Sequence, residues 1–481
     1  MKRTVTVQLQ PSKEQEKILF ESANATAVIW NKLNYQRLKQ FKEFGKIDFR
    51  GTQQEAYYQF KNWIGGSTVQ TLARKNAESW RSFFVLNKKE KTGGLPEWFK
   101  PKPPGFIREK DGRKLFVIPI RNDQYRIYDN VIEIRRLGKF GKLKLQFKGG
   151  IHFKCKQGRL EIVYDEVKRK WYAKISFRVN QKLTKNGWVN LPRTPKGNLS
   201  AGIDLGVNNL MAVYVENGES FLVNGRPLKA IDFYFRKIIA DYQSKLNKSG
   251  AKTSRKLKML RRKAKLQAKH YINTAVRQTV EKLYELGVSE IVVGYPKGIG
   301  RNSNKGKRQN FILSHVWRFN YVIKRLMEVA EEFGISVEVV GEAFTSQLCP
   351  LCGQRHSNGR IFRGLFKCRE EGVVMNSDIV GAFNILKKAV KTITPSLSAL
   401  TGGRGNWGKT RPEGFSEPLQ RGRCGLPLKL PRLWVRGFLV GTPAVHGREE
   451  VSGWGLFLAP LLLLLIHPEP SRPYELPLPF H

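Results

Sequence analysis

Apolar positions in the first ten residues alternate at Val5, Val7 and Leu9, the period of a β-strand with one buried face. Pro11 and Ser12 then open a helix, and Ser12 and Gln15 have the spacing of a reciprocal N-terminal cap. Its period runs on through Phe20, Val28, Ile29, Leu33 and Leu38. A second helical stretch, about 53–86, carries Tyr57, Tyr58, Phe60, Trp63, Trp80, Phe83 and Phe84. At helical spacing these rings predict core; stacking on bases is the competing use. A Pro/Gly-rich break over 93–105 ends this region.

Short alternating stretches follow: LFVIPI, YDNVIEIRRLG, KLKLQF, GRLEIVYDEV and KWYAKISFRV, the last ending at Val179. Repeated short strands with Gly turns predict a small β-barrel, and their Lys and Arg content predicts one face that tracks phosphates. Residues 180–199 read as a polar linker. From Ser200 the pattern changes: AGIDLGVNNLMAVYVENGESFLVNG reads as three strands, and 229–287 as helical. EIVVGYP is a strand, HVWRFNYVIKRLMEVAEEFG a helix and ISVEVVGE a further strand. With the helix after Asn376, the order βββ-α-β-α-β-α is that of an RNase H-type domain, so the fold class is α/β and multidomain.

Composition narrows the partners. The chain has 481 residues, enough for about three domains, and a net charge of +47. That balance predicts a polyanionic partner, because each phosphate neutralised by Lys or Arg releases condensed counterions. A hydrophobic fraction of 41% predicts a folded binder rather than a basic tail. An anionic membrane surface is the competing partner. However, the apolar stretch Leu456–Ile466 is shorter than the ~20 residues a spanning helix needs, and Pro460 interrupts it. The N-terminal MKRTVTVQLQP lacks the apolar centre of a signal peptide, so the expected location is cytoplasmic and nucleoid-associated. The helical segment KTSRKLKMLRRKAKLQAK has no acid; Leu257, Leu260, Ala264 and Ala268 mark one face, leaving a basic stripe for nucleic acid or, less pointedly, for solvent.

Three features carry chemistry. Asp204, in Ile203-Asp204-Leu205-Gly206, lies on an apolar strand, where a carboxylate needs a cation or solvent. Cys349 and Cys352 form a Cys-x-x-Cys knuckle followed by Cys368, a zinc signal in a reducing compartment. Glu371 stands three after Cys368, where a fourth Cys would close the site; His356, a better borderline-soft ligand, is the expected fourth partner and Glu371 the alternative. Asp378 opens a helix whose apolar positions 379, 382, 383, 386, 389 and 390 pack on a sheet, and the helix dipole there favours an ionised carboxylate.

Taken together these motifs resemble the TnpB (OrfB) family of transposon-encoded proteins, relatives of the type V CRISPR effectors. The matching segments are the Asp-Leu-Gly strand, Gly294-Tyr295-Pro296-Lys297-Gly298-Ile299, Glu342 to Gly353, and Asn376 to Ile385. The resemblance spans about residues 1–391. It implies a wedge-like β-barrel (1–11 and 106–190) and a helical recognition insertion (12–105). It further implies a RuvC-like nuclease domain (200–344 and 375–391) holding a zinc knuckle (345–374). A Zn2+ ion, two Mg2+ ions, a guide RNA made from the transposon end and a double-stranded DNA target beside a short adjacent motif complete the expectation.

In the family a carboxylate trio holds the two metal ions. Asp204 and Asp378 match its first and third members. The middle Glu ordinarily follows the strand written here Ile291-Val292-Val293, but Gly294 occupies that position. Glu342, at the end of the neighbouring strand, is the expected substitute, with Glu338 the weaker candidate by strand parity and Glu290 pointing away. Arg255, Lys258, Arg261, Arg262 and Lys265 are the expected phosphate contacts. The function so implied is RNA-guided, Mg-dependent DNA cutting. The alternatives are a nuclease-dead RNA-guided binder, suggested by Gly294, and a DNA-joining transposase. After about Lys391 periodicity disappears, and 392–481 are expected to be a disordered or poorly packed tail whose deletion leaves folding and cutting intact.

Overall fold

The structure, a computed structural model, describes residues 1–95, 99–110, 112–151, 153–184, 187–296, 318–356, 358–362, 364–390, 393–401 and 434–435, with 306, 310 and 312 between. The Lys297–Ile299 end of the GYPKGI motif, Cys424 and the leucine run lie outside the described residues, as does most of the expected tail.

The first half is a sheet plugged by helices. Strand β1 (Lys2–Leu9) leads into α1 (Lys13–Phe44), whose start is held by the Ser12–Gln15 reciprocal cap. Next come α2 (Phe49–Ile64) and α3 (Gly66–Lys91). The sequence reads these two as one helix. Gly65, at φ 85°, breaks it, and a Cβ there would press on the backbone of Gly138 at 3.1 Å. Trp80 and Phe83 are buried in this helical unit, whereas Tyr58 is 62% exposed. Buried Arg37 ties its helices together, donating to Thr52 Oγ1 (3.0 Å), Ala73 O (2.9 Å) and Asn76 Oδ1 (2.8 Å). Burial, then the nearby Arg81 charge, brings its pKa down to about 10.

The strands β2 (Ile118–Ile120), β3 (Tyr125–Tyr128), β4 (Val131–Ile134), β5 (Leu143–Lys148), β6 (Phe153–Asp165), β7 (Lys170–Thr184) and β8 (Gly187–Asn190) join β1 in an eight-stranded sheet. Its order is β2-β6-β7-β1-β5-β4-β3, with β8 on β7. The ends of that path, β2 and β3, are consecutive in the chain. Tyr125 Oη donates to Gly158 O (2.9 Å) and Gln157 Nε2 to Tyr125 O (2.9 Å), drawing the sheet nearly closed. Alternate residues such as Leu143, Leu145 and Phe147 point inward, and Leu19 and Ala23 of α1 fill the same core. The expected linker at 180–199 is corrected here: β7 runs on to Thr184 and pairs with β8, a hairpin whose polar residues hide its alternation.

The second half is built on a sheet of order β13-β12-β9-β10-β11-β16. Its strands are β9 (Leu199–Asp204), β10 (Asn209–Val215), β11 (Ser220–Asn224), β12 (Val288–Tyr295), β13 (Ser336–Gly341) and the short β16 (Trp434–Val435). β9, β10 and β11 are antiparallel neighbours, while β12 runs parallel to β9 and β13 parallel to β12. The helical segment after β11 is two helices, α4 (Arg226–Lys248) and α5 (Arg255–Glu285), split where Gly250 takes φ 74° and Ser254 caps α5. One face of the sheet packs α5 and α6 (Phe319–Phe333), burying Ile203, Val213 and Val293. The other packs α7 (Ser377–Ala389), burying Ala212, Tyr214 and Val292. This division follows from the period of two along each strand.

Two further contacts matter. The chain after α7 does not stop packing at Lys391: α8 (Leu397–Thr401) buries Ala399 and Leu400, and Ser396 N donates to Tyr214 Oη (2.9 Å). Five residues are too few to display a helical period, which is why the sequence places the end of packed chain earlier. The halves meet at buried Glu332 of α6, which faces Arg3 of β1 (3.6 Å), Lys182 of β7 (3.2 Å) and Arg277 of α5 (2.5 Å). Burial alone would raise that carboxyl, but Lys182 and Arg277 outweigh it and hold it below its usual range. Among the described residues, no helix is long and apolar enough to cross a membrane.

Candidate functional site

Helix α7 lies directly against β9. A Cβ on Gly202 would run into the Ala382 carbonyl, and one on Gly381 would sit 2.6 Å from Asp204 Oδ2. Both positions need a residue without a side chain, and the helix therefore rests its own surface on the Asp204 carboxylate. Asp204 is half-buried on this face of the sheet, at the end of β9. Asp378 comes to it from the first turn of α7, where Asn376 Oδ1 accepts from the N–H of Asp378 (3.0 Å) and of Ile379 (3.3 Å). Asn209 Nδ2, at the start of β10, donates to Asp378 Oδ2 at 2.7 Å and fixes its orientation.

Glu342 follows the last residue of β13. A Cβ on Gly294 would lie 3.4 Å from Glu342 Cβ and 2.6 Å from Ile385 Cδ1, so the space a side chain at 294 would use is taken by Glu342 and Ile385. Burial pushes the Glu342 carboxyl up to about 7, against an opposing pull from Lys388. Its Oε2 is buried without a hydrogen-bond partner. The Asp204 carboxyl is raised well above its usual range, first by burial and then by the charges of Asp378 and Glu342; Arg360, from the knuckle, opposes them. Three half-buried acids, two of which act electrostatically on the third, and one of which carries an orphaned oxygen, form a donor set that fits a divalent cation. Glu338 is exposed, and Glu290 accepts from Ser200 Oγ at 3.3 Å.

The knuckle is assembled more tightly. Among the described residues, Cys349, Cys352, His356 and Cys368 are the group whose ligand atoms all lie within 4.8 Å of one another; the carboxylate trio is looser. Cys352 Sγ is 3.2 Å and Cys368 Sγ 3.9 Å from His356 Nε2. Two similar turns build it, each ending in a glycine of positive φ, Gly353 at 72° and Gly372 at 65°. Strands β14 (Leu365–Lys367) and β15 (Val374–Asn376) brace the second turn and deliver the chain into α7. Glu371 is exposed and contributes its backbone N–H to Cys368 Sγ (3.4 Å), not its carboxylate. Burial pushes the Cys349 thiol up to about 12, while backbone N–H groups of Glu371 and Glu370 and the neighbouring thiols overcome burial and lower Cys368. Three sulfurs and an imidazole at this spacing are a tetrahedral donor set compatible with zinc.

Of the five basic positions on α5, Arg255 Nε donates to Val167 O (3.0 Å), Arg262 pairs with Asp165, and Arg261 reaches Gln243 Oε1 (3.1 Å). These three brace the helix against the β6–β7 turn and α4; Lys258 and Lys265 face outward or line an opening. That opening is a cleft of about 660 Å³, with Lys110, Arg113, Arg169, Arg255 and Lys258 in its walls. A second cleft of about 670 Å³ lies between α3 and the barrel, where Lys2, Arg3, Arg74, Arg121, Lys156, Arg159 and Arg178 surround the single acid Glu78. The clefts sit roughly 20 Å apart along β6. Neither this second cleft nor Arg360 was picked out from the sequence, because scattered basic residues on strands and loops give no periodic signal.

Comparisons with known proteins agree with one another. A family model described as a probable transposase, OrfB_IS605, matches residues 169–300, and the TNB-domain model of Cas12f1-like proteins matches residues 319–385. The TnpB-like protein ORF457 of Acidianus two-tailed virus is 31% identical over 411 residues, covering 82% of this chain and 88% of that protein. The CRISPR-associated endodeoxyribonuclease Cas12f1 of Sulfoacidibacillus thermotolerans is 38% identical over 69 residues, 14% of this chain and 16% of that one. In fold, the chain resembles Cas12f1 from a cryo-EM structure of a Cas12f1–sgRNA–target DNA complex, with a TM-score of 0.51 at 14% identity over 78% of this chain and 83% of that chain.

Proposed function

The chain belongs to the TnpB family, and from that premise we propose that it is an RNA-guided DNA endonuclease whose cutting site is Asp204, Glu342 and Asp378. The observation that supports the proposal is electrostatic: Asp378 and Glu342 both raise the Asp204 carboxyl, and Glu342 carries an unpaired buried oxygen. It is supported by the sheet order, in which the first three strands are antiparallel and the fourth and fifth run parallel beside the first, the arrangement of an RNase H-like (RuvC) domain. In this reading residues 200–344 and 375–391 are the nuclease domain, 345–374 the zinc knuckle, 1–11 with 106–190 the wedge-like barrel, and 12–105 the recognition insertion.

The trio would hold two Mg2+ ions, which when bound would activate water and stabilise the leaving oxygen of the cleaved strand. The chain's own residues do the rest. Asn209 and the Asn376 cap hold Asp378 in one orientation, and Gly381 leaves room for Asp204. Arg360 places a positive charge beside Asp204, in addition to that of Lys388 beside Glu342, and could meet the phosphate of a DNA strand. The knuckle's Cys349, Cys352, His356 and Cys368 would hold Zn2+. The two basic clefts supply phosphate contacts for a guide RNA made from the transposon end and for the DNA duplex beside its short adjacent motif. Base pairing would then read the sequence.

Sequencing RNA that co-purifies with the chain, then supplying a matched duplex with Mg2+, tests this directly. Cut product that disappears in Asp204→Ala while RNA stays bound is the expected result. Duplex occupancy without product would favour a nuclease-dead binder, the reading that the looser trio and Gly294 would then support, and strand-transfer product would favour a joining transposase.

A further inference from the structure

Glu342 sits where the sheet does little to hold it. Among the described residues its strand, β13, pairs on one side only, with β12, and four of its six residues are exposed. The corner then turns through Phe344, a non-glycine residue at φ 64°, which is 62% exposed. Val337 and Val340 pack against the two cores, but the corner beyond them is exposed at Gly341, Ala343 and Phe344, whereas Asp204 lies on a central strand and Asp378 on a packed helix.

What holds the corner comes from α7. Lys388 Nζ donates to the carbonyls of both Gly341 and Ala343, the residues on either side of Glu342. Asn384 Nδ2, one turn earlier, donates to Thr345 O (2.7 Å) and Leu348 O (2.8 Å), while Thr345 returns its hydroxyl to Glu342 O (2.8 Å). Positions 378, 381, 384 and 388 recur at three- and four-residue intervals, which puts them along one side of the helix. The same side thus presents one carboxylate, makes room for the second and straps down the strand end that bears the third.

We propose that Lys388 is a positioning residue for the carboxylate site: by bridging the carbonyls of Gly341 and Ala343 it fixes Glu342 against Asp204 and Asp378. The inference rests on the reading of the trio as a cation site. A methionine at 388 keeps the stem but cannot donate to either carbonyl, and an arginine retains donors on a similar reach.

The test is Mn2+ binding to the full chain, zinc-loaded and free of nucleic acid, by calorimetry, with melting temperature as a check on folding. Loss of an outer hydrogen bond that orients a ligand typically weakens metal affinity 10- to 100-fold. Lys388→Met is expected to weaken Mn2+ binding at least tenfold with melting unchanged, and Lys388→Arg to restore most of it. In cutting assays the same Lys388→Met defect should shrink as Mg2+ is raised, with the KM for DNA unaltered, an outcome that loss of a phosphate contact would not give. If Glu342→Gln weakens Mn2+ binding and Lys388→Met does not, the strap is wrong and the trio stands. If Glu342→Gln binds Mn2+ like the unaltered chain, the placement of Glu342 in the site falls, and the strap falls with it.

Discussion

The knuckle and the carboxylate trio are opposite ways of gathering ligands. Four donors of the knuckle come from twenty consecutive residues, and two glycine turns and a small hairpin bring them within 4.8 Å before anything else in the molecule is considered. The trio instead draws one acid from a central strand, one from a strand end and one from a helix, and it converges only because α7 lies flat on β9. Local sites are written into spacing; non-local ones are written into packing. The electrostatics differ in the same sense. The knuckle's soft donors stabilise one another through hydrogen bonds when metal-free, whereas the acids of the trio repel.

Experiments that separate the two run from large effects to small. Asp204→Ala should lower cutting by more than about 1,000-fold, since it would remove a carboxylate from the proposed cation site, without releasing the bound RNA. Glu342→Gln should cost about 100-fold, with part of the loss recovered by high Mg2+. Cys349→Ser should abolish stoichiometric zinc, read by metal analysis, and lower the melting temperature, with cutting reduced about tenfold because the segment 345–348 joins the knuckle to the Glu342 corner.

The sharpest contrast is a stability measurement without divalent ions. Asp204→Asn should raise the melting temperature, by relieving a buried repulsion, where Cys349→Ser lowers it; equal signs would break the comparison. A related prediction concerns pH. The Glu342 carboxyl is raised from 4.5 to about 7 in the fold, so the folded chain holds a proton that the unfolded chain has released. The ion-free chain should therefore lose stability as pH rises from about 4.5 through 7, and Glu342→Gln should flatten that slope. Mn2+ affinity should run the opposite way, climbing through the same window as protons leave. Smallest is Leu400→Ala, at about 2–3 kcal/mol of stability by denaturant unfolding and with little effect on cutting.

Legibility in the sequence follows the same division. Ile203-Asp204, the Cys-x-x-Cys turn and the helix after Asn376 each announce themselves within a few residues. Choosing His356 over Glu371 needed only ligand chemistry, and the structure supplies the reason: the second turn uses Glu371 as a backbone donor. Glu342 was reached through strand adjacency, yet nothing in the pattern reveals that Lys388 and Asn384 hold its corner. Arg360, exposed on a loop, carries no periodic signal at all. The break at Gly65, the β7–β8 hairpin and α8 were missed for a related reason. Each depends on a single glycine, a two-sided polar surface or a helix of one turn, below the length at which a period can be read.

One consequence of the Glu332 cluster concerns how the molecule could open. Withdrawing Arg3 and Lys182 together would strand a carboxylate in a dry place with one partner, and breaking a buried charge cluster on one side typically costs about 3–5 kcal/mol. The seam between the barrel and α6 therefore behaves as a rivet rather than a hinge.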